Sequence, residues 1–186
     1  MLADRIVDFL NIGEQPRKAG CIFVFAGREE RKVYGIELWR QGYAPELILS
    51  VGRFEWRRFY SLGLPADGGL KRLVNSTPPV QRHFFVRVRS DGAAASLITI
   101  GRYGTWTEAV ALAHLLRDNA PESMMVVSSP THLRRVRLAL RRTFRRMPTR
   151  LSFVACPENA GSVTGADLYL ELRKYLRYLL LFAPRR

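Results

Sequence analysis

The chain is 186 residues long and 47% hydrophobic, which is typical of a folded domain with a substantial core and excludes a disordered segment. Its 30 basic and 16 acidic residues give a formal net charge of +14, so partners are expected among phosphate esters, nucleic acid or acidic membrane surfaces. Two cysteines and three histidines predict no disulfide framework and no metal site, and Cys21 and Cys156 are expected to be buried thiols within strands. Without a membrane-spanning apolar run or a secretory signal, we expect one soluble, cytoplasmic domain over residues 1–186.

Strands and helices alternate in the first part of the chain. After a short N-terminal helix comes a continuous apolar run, which is typical of a strand buried on both faces in a parallel sheet. Gly27 ends this strand and Gly42 ends the helix that follows. The predicted elements are strands over 21–26 and 47–51 and helices over 31–41 and 54–62.

The middle of the chain interrupts this alternation. Residues 66–82 are rich in glycine and proline and predict a loop that holds a short helix over 70–74. Two β-like runs over 84–89 and 95–100, with Asp91-Gly92 between them, predict an antiparallel hairpin. This inserted hairpin either extends the edge of the sheet or covers the site.

Alternation returns in the last part of the chain. The predicted elements are strands over 124–128 and 151–155 and helices over 105–118, 130–145 and 168–182. Because strands and helices alternate through most of the chain, we predict a three-layer α/β fold with a mainly parallel sheet.

Three segments fall at the edge of the predicted sheet where ligands bind, beyond the carboxyl ends of the strands. Each combines a small or hydroxyl residue with a cation. The segments are Gly27 to Arg31, which includes Arg28; Ser50 to Arg53; and Ser128 to Arg135.

The last of these segments begins a helix. Ser129 is placed as its N-cap and Pro130 as its first residue. His132 then lies in the first turn, three residues before Arg135 and beside free backbone N–H groups, which predicts an anion site. A buried structural histidine is the alternative. The other arginines of this helix are expected to face solvent: Arg134, Arg137, Arg141, Arg142, Arg145 and Arg146.

Thr105 and Glu108 stand at the start of another predicted helix. Their spacing of three is that of a capping box, in which each side chain bonds the other residue's backbone N–H, and this favours a structural role. In the functional alternative Glu108 projects into the crevice and pairs with Arg31 or accepts from a ligand hydroxyl.

Four segments, in this order, resemble the YdcF-like family, the domain shared by YdcF, SanA and ElyC. They are Gly27 with its nearby arginines, LWRQGYAPELILS (38–50), GTWTEA (104–109) and VVSSPTHLRRV (126–136). The resemblance implies a Rossmann-like fold, to which the hairpin is an addition. Either Arg28 or Arg31 matches the arginine of the family's first motif. It also implies that the family's polar positions are occupied by Thr105, Glu108, Ser128, Ser129, His132 and Arg135.

The resemblance implies function only in outline, since the family is linked to S-adenosylmethionine binding in one branch and to envelope maintenance in another. No glycine-rich dinucleotide fingerprint, Walker loop or nucleophile elbow is present. The first hypothesis is therefore a site for an anionic or nucleotide-like ligand, either S-adenosylmethionine or a phosphorylated lipid or sugar. Arg31, Arg135 and the helix start at Ser129 would hold it, and His132 or Glu108 would move a proton.

Two further hypotheses use the basic helices. Nucleic acid is one candidate partner, bound through the arginine face of the helix over 130–145. A membrane surface is another, bound through residues 169–186. For that segment, core packing of its leucine stripe is the ordinary explanation; the stripe consists of Leu172, Leu176, Leu179 and Leu180.

Overall fold

A computed structural model describes residues 2–53, 55, 62, 64, 68–157 and 163–182. The strands are β1 (Cys21–Val24), β2 (Leu47–Val51), β3 (Phe84–Arg89), β4 (Gly92–Leu97), β5 (Ser123–Ser128) and β6 (Arg150–Ala155). The helices are α1 (Leu2–Leu10), α2 (Glu29–Arg40), α3 (Gly68–Ser76), α4 (Gly104–Leu115), α5 (Pro130–Thr143) and α6 (Gly165–Phe182), with a short 3-10 helix at Pro79–Gln81. The helix predicted over 54–62 lies almost wholly outside the described residues.

The six strands form one mixed sheet in the order β4-β3-β2-β1-β5-β6. Strand β1 pairs in parallel with β2 and with β5, and β5 pairs in parallel with β6. The hairpin of β3 and β4 is antiparallel and extends the sheet beyond β2, so it forms an edge and does not cover the parallel strands. This arrangement is a Rossmann-like three-layer α/β fold, as predicted.

Both faces of the sheet are buried, because alternate residues of β1 point into two separate cores. Ile22 and Val24 belong to one core, which α2 and α3 cover. Phe23 and Phe25 belong to the other, which is covered by α4, α5 and α6. Strands buried on both sides explain the continuous apolar runs in the sequence.

The order in which strands are added to the sheet changes direction at β1. The chain passes from β1 to β2 on one side and later returns to place β5 on the other side. The loops after β1 and β5 therefore leave in opposite directions, and a crevice forms between them at the carboxyl ends of the strands.

Most boundaries match the sequence pattern, and the hairpin differs most. Gly92 pairs with Arg89, so a tight turn of two residues connects the strands, and β4 covers 92–97 instead of 95–100. The φ of Gly92 is 147°, a conformation that suits glycine. Helix α3 extends to Gly68–Ser76, beyond the predicted 70–74.

Gly42 ends α2 as predicted. Its φ is 76°, and its N–H donates to the carbonyl of Trp39 over 3.0 Å. Cys21 and Cys156 are buried free thiols, although Cys156 lies one residue beyond β6 rather than inside a strand. None of the described helices is long and apolar enough to cross a membrane.

The prediction that the leucine stripe of α6 packs in the core is wrong for most of its members. Leu176, Leu179 and Leu180 are exposed, and the helix buries Leu168 and Tyr178 instead. Aromatic packing fixes this rotation: Phe182 stacks on Trp106 with ring centroids 3.8 Å apart and contacts Tyr178 edge-on.

Helix α2 approaches β1 closely enough that Gly35 has no room for a side chain. A Cβ at this position would lie 2.3 Å from Cγ2 of Val24. We expect Gly35→Ala to lower the free energy of unfolding by about 1–3 kcal/mol, as overpacking does, measured by urea denaturation.

The control is Gly165→Ala in α6, where no heavy atom lies within 4 Å of the added Cβ. Val24→Ala should relieve the clash, so that the double variant loses less stability than the sum of the two single variants. Equal stabilities for Gly35→Ala and the control would contradict the close contact.

Candidate functional site

Nearly all the predicted site residues gather at the crevice beyond the carboxyl ends of β1, β2 and β5. Their side chains are buried there and hydrogen-bond to one another. The buried members are Arg31, Ser50, Thr105, Glu108, Ser128, Ser129, His132 and Arg135, and Lys32 joins them. Arg28, by contrast, is the exposed N-cap residue of α2.

Glu108 connects α4 to the end of β1. Its Oε1 accepts the backbone N–H of Ala26 over 2.9 Å, and the carboxyl also hydrogen-bonds with Ser50. The capping-box prediction is therefore wrong. Helix α4 begins at Gly104 with Tyr103 as its N-cap and no side-chain cap bond, because the side chains of Thr105 and Glu108 reach across to other elements.

A capping box does occur in this chain, at the start of α6. The N–H of Asp167 donates to Thr164 Oγ1 over 3.2 Å, and the N–H of Thr164 donates to Asp167 Oδ2 over 3.0 Å. This pair has the same spacing of three but lies at an exposed helix start, and its side chains bond to each other's backbone N–H groups.

Burial changes the protonation of Glu108. Removal from water raises the pKa of its carboxyl from 4.5 to about 7, although the hydrogen bonds with Ser50 and Ala26 act in the opposite direction. Glu108 can thus accept or release a proton near neutral pH, which is the property of a general acid or base.

His132 is held as a neutral imidazole. Its Nδ1 lies 2.8 Å from Ser128 Oγ, and its Nε2 lies 3.2 Å from Thr105 Oγ1. Burial lowers the pKa of His132 well below its ordinary value, and the charges of Arg135 and Arg31 lower it further.

Arg135 continues this chain of contacts to α6. It donates through Nη1 to Thr105 Oγ1 and forms an ion pair with Glu171, whose Oε2 lies 3.0 Å from Nη2. His132 and Arg135 therefore lie close together, as predicted, and both contact the hydroxyl of Thr105. Burial raises the pKa of Glu171, but the charges of Arg135 and Lys174 outweigh burial and hold it below its ordinary value.

The first turn of α5 offers fewer free backbone donors than predicted. Ser129 is the N-cap and Pro130 follows it, as expected, but proline carries no N–H. The N–H groups of His132 and Leu133 both donate to the carbonyl of Ser129. The Ser129 hydroxyl makes no cap bond, because it accepts from Arg31.

Arg31 folds back over the end of β1. Its Nε donates to Ser129 Oγ over 2.8 Å and its Nη1 to the carbonyl of Ala26 over 2.7 Å. Gly27 permits this approach: its φ is 134°, and a Cβ there would lie 2.6 Å from Arg31 Nη1. Burial lowers the pKa of Arg31, and the nearby carboxyl of Glu108 partly compensates.

Four residues in contact with the crevice groups were not predicted from the sequence: Lys32, Glu55, His83 and Glu171. Lys32 forms an ion pair with Glu55, whose Oε1 also accepts the Gly27 N–H over 2.7 Å. His83 Nε2 lies 2.9 Å from Ser50 Oγ, and burial, followed by the charge of Lys32, lowers its pKa to about 4.

Of these four residues, His83 could have been predicted from the sequence. His83 directly precedes β3, and the start of an antiparallel neighbour lies beside the carboxyl end of β2. Pairing the predicted strand over 84–89 with β2 would have brought this histidine to the site. Lys32, Glu55 and Glu171 lie in stretches whose patterns indicate only exposed, charged residues.

A cavity of about 520 Å³ opens beside His83 at this edge of the sheet. Its polar lining comes from Arg53, Gln81, Arg82 and His83, and the hairpin supplies apolar residues such as Leu97 and Ile98. His132 does not line it. Within the described residues, no group of three or more histidine, cysteine, aspartate or glutamate side chains is arranged to hold a metal ion.

Comparisons with models of protein families, with curated proteins and with solved structures yielded no match.

The raised pKa of Glu108 predicts a pH-dependent stability. Between pH 4.5 and about 7 the folded chain binds a proton at Glu108 that the unfolded chain has released, so this residue's contribution falls as the pH rises. Above pH 7 the ionised carboxylate costs about 3 kcal/mol. Relative to the wild type, Glu108→Gln should gain that amount between pH 4.5 and 7.5, measured by urea denaturation.

The comparison with wild type isolates Glu108, because the buried histidines act with the opposite sign in both proteins. Their lowered pKa values remove stability as the pH falls below 6.5. Glu46→Gln, at the opposite edge of the sheet, is the control for removing a carboxylate. A constant difference between wild type and Glu108→Gln across this pH range would exclude a buried carboxyl that is protonated near neutrality.

Proposed function

We propose that this chain binds a small anionic ligand of the phosphorylated or nucleotide-like kind at the carboxyl edge of its sheet. The observation that carries the proposal is the cavity beside His83, which is joined to the buried network through Ser50 and Glu108. It opens at the carboxyl end of β2, beside the hairpin, on the same edge of the sheet as the β1–β5 crevice but displaced from it.

The charges around the cavity favour an anion. Arg53 and Arg82 line it, and the Nε of Arg82 is anchored by the carbonyl of Thr77 over 2.9 Å. Guanidinium groups bind phosphate through paired hydrogen bonds. A phosphorylated sugar or lipid therefore fits better than S-adenosylmethionine, whose sulfonium is itself cationic, and the apolar hairpin residues suit a base or an alkyl group.

The network supplies a route for a proton from such a ligand. Burial lowers the pKa of His83 to about 4, so it is a neutral imidazole at pH 7 and accepts a hydrogen bond, rather than the proton itself, from a ligand hydroxyl in the cavity. Ser50 bridges His83 to Glu108, which takes up the charge change near neutrality. In this proposal Glu108 and His83 have the chemical roles, whereas His132 and Arg135 position α4 against α5.

Membership of the YdcF-like family is part of the same proposal. Its support is the order of the motifs and the contacts between their residues. Thr105 and Glu108 of one motif and Ser128, His132 and Arg135 of another belong to a single hydrogen-bonded network. Because each of these side chains satisfies the hydrogen bonds of another, we expect them to be present together in proteins that share this crevice.

Ligand binding can be tested by isothermal titration calorimetry with ADP, glucose 6-phosphate and S-adenosylmethionine, using adenosine and glucose as uncharged partners. We expect a phosphorylated compound to bind. Arg53→Gln and Arg82→Gln should each weaken that binding about 10- to 100-fold, the usual effect of losing a charged hydrogen bond.

Arg117→Gln removes the same charge from an exposed position after α4 and should leave the affinity unchanged. An equal loss of affinity in all three variants would show that the protein's net charge, and not these two arginines, attracts the ligand. Binding of the uncharged partners with the same affinity would exclude anion recognition.

The bridging serine can be tested separately. Its hydrogen bond lowers the pKa of Glu108, so Ser50→Ala should raise that pKa above about 7 and leave His83 without its hydroxyl partner. Carboxyl-carbon NMR titration reports the first change and imidazole NMR the second. Ser96→Ala, on β4, is the control, and an unchanged Glu108 titration in Ser50→Ala would break the proposed route.

A further inference from the structure

Helix α6 presents an apolar face to solvent. Leu176, Leu179 and Leu180 are 51%, 36% and 83% exposed, and Tyr169 is 64% exposed. With half-buried Leu172, these residues recur at intervals of three and four, so they share one side of the helix. An exposed apolar patch of this kind marks an interaction site.

The helix cannot turn this face inward without losing its polar contacts. Glu171 on the buried side pairs with Arg135 and with Lys174, and the Tyr178 hydroxyl accepts the backbone N–H of Trp106 over 3.2 Å. The leucines are therefore held outward by the same contacts that connect α6 to the crevice.

Beside this face, α5 carries a stripe of arginines. Arg134, Arg137 and Arg141 follow one another at intervals of three and four and so lie on one side of the helix, with Arg142 next to them. Arg145 lies in the turn directly after the helix. None of the five pairs with a carboxylate in the described parts of the chain; Arg134 instead stacks on Phe9, 4.0 Å from the ring centroid.

The arginines and the leucines are neighbours. A groove of about 320 Å³ runs between the two helices, lined by the five arginines and by Tyr175 of α6. Tyr175 lies three residues after Leu172 and four before Leu179, so it borders the apolar face directly. We call the five arginines, Tyr175 and the exposed apolar residues of α6 the α5–α6 face.

We propose that the α5–α6 face docks this protein on the surface of an anionic lipid bilayer. The leucines would enter the boundary between headgroups and acyl chains while the arginines meet the lipid phosphates. Both halves of the face are then used. A nucleic acid would match the arginines but would gain nothing from burying leucines against its phosphates, and a second copy would bring five arginines against like charge.

This proposal is independent of the ligand site, which lies at the carboxyl edge of the sheet and uses different residues. It also differs from insertion across a bilayer, because α6 keeps Glu171 and Tyr178 packed against the rest of the fold. Docking through one face requires no change in the structure.

The test is cosedimentation of the full chain with large unilamellar vesicles of phosphatidylcholine alone or with 30% phosphatidylglycerol. We expect binding to the anionic vesicles that weakens with salt, as screening of the arginines requires. Arg137→Gln combined with Arg141→Gln should reduce the partition coefficient about 10- to 30-fold. Leu176→Gln combined with Leu180→Gln should reduce it about tenfold or more.

Matched controls use the same substitutions elsewhere. Arg117→Gln with Arg146→Gln removes two exposed charges that follow α4 and α5 and do not line the groove between α5 and α6. Leu170→Gln with Leu181→Gln changes two exposed leucines of α6 outside the apolar face. Neither should alter binding by more than about twofold. Circular dichroism melting of each variant identifies any that fails to fold, and Leu180→Gln alone, at the most exposed leucine, then replaces the double variant.

Three outcomes would overturn the proposal. One is equal partition onto neutral and anionic vesicles, or onto neither. Another is tighter binding to a mixed-sequence oligonucleotide that the arginine variant loses and the leucine variant keeps, which would make the face a nucleic-acid site. The third is a dimer in sedimentation velocity that the leucine variant abolishes together with the lipid signal.

Discussion

The hydrogen bond from the Ala26 N–H to the buried carboxyl of Glu108 determines how the helices meet the sheet. It places the first turn of α4 over the end of β1, and Thr105 then faces His132 and Arg135. Arg135 in turn pairs with Glu171 and adds to the aromatic packing that fixes the rotation of α6. A series of polar contacts thus runs from the end of β1 to α6. It begins at the buried carboxyl of Glu108.

Such a network is costly unless every member has a partner, because an unpaired buried donor or acceptor loses its hydration without compensation. In the described residues, the buried side-chain atom without a hydrogen-bond partner is Thr149 Oγ1. Thr149 directly precedes β6 and is not part of this network. The crevice groups therefore satisfy one another. The neutral state of His132 and the raised pKa of Glu108 follow from this burial, since burial disfavours the charged form of either group.

Local patterns predicted the fold well because its elements depend on periodicity and on a few glycines. The strands over 47–51 and 84–89 matched residue for residue, and Gly42 ended its helix as expected. Contacts between distant segments were not predictable in this way. The spacing of Thr105 and Glu108 is identical to that of Thr164 and Asp167, yet only the exposed pair caps a helix. Tertiary burial decided between them, and spacing carries no information about burial.

The buried members of the predicted site have little surface to offer a ligand. An imidazole whose two nitrogens are both engaged within the network has no polar atom left for a ligand, as His132 between Ser128 and Thr105 shows. In the proposed function, recognition therefore falls to the rim, where Arg53, Arg82 and His83 line the cavity. These residues follow β2 or precede β3, beside the inserted hairpin. Under the proposed function, a chain with the same buried motifs and a different hairpin would keep the architecture of the crevice and change its ligand.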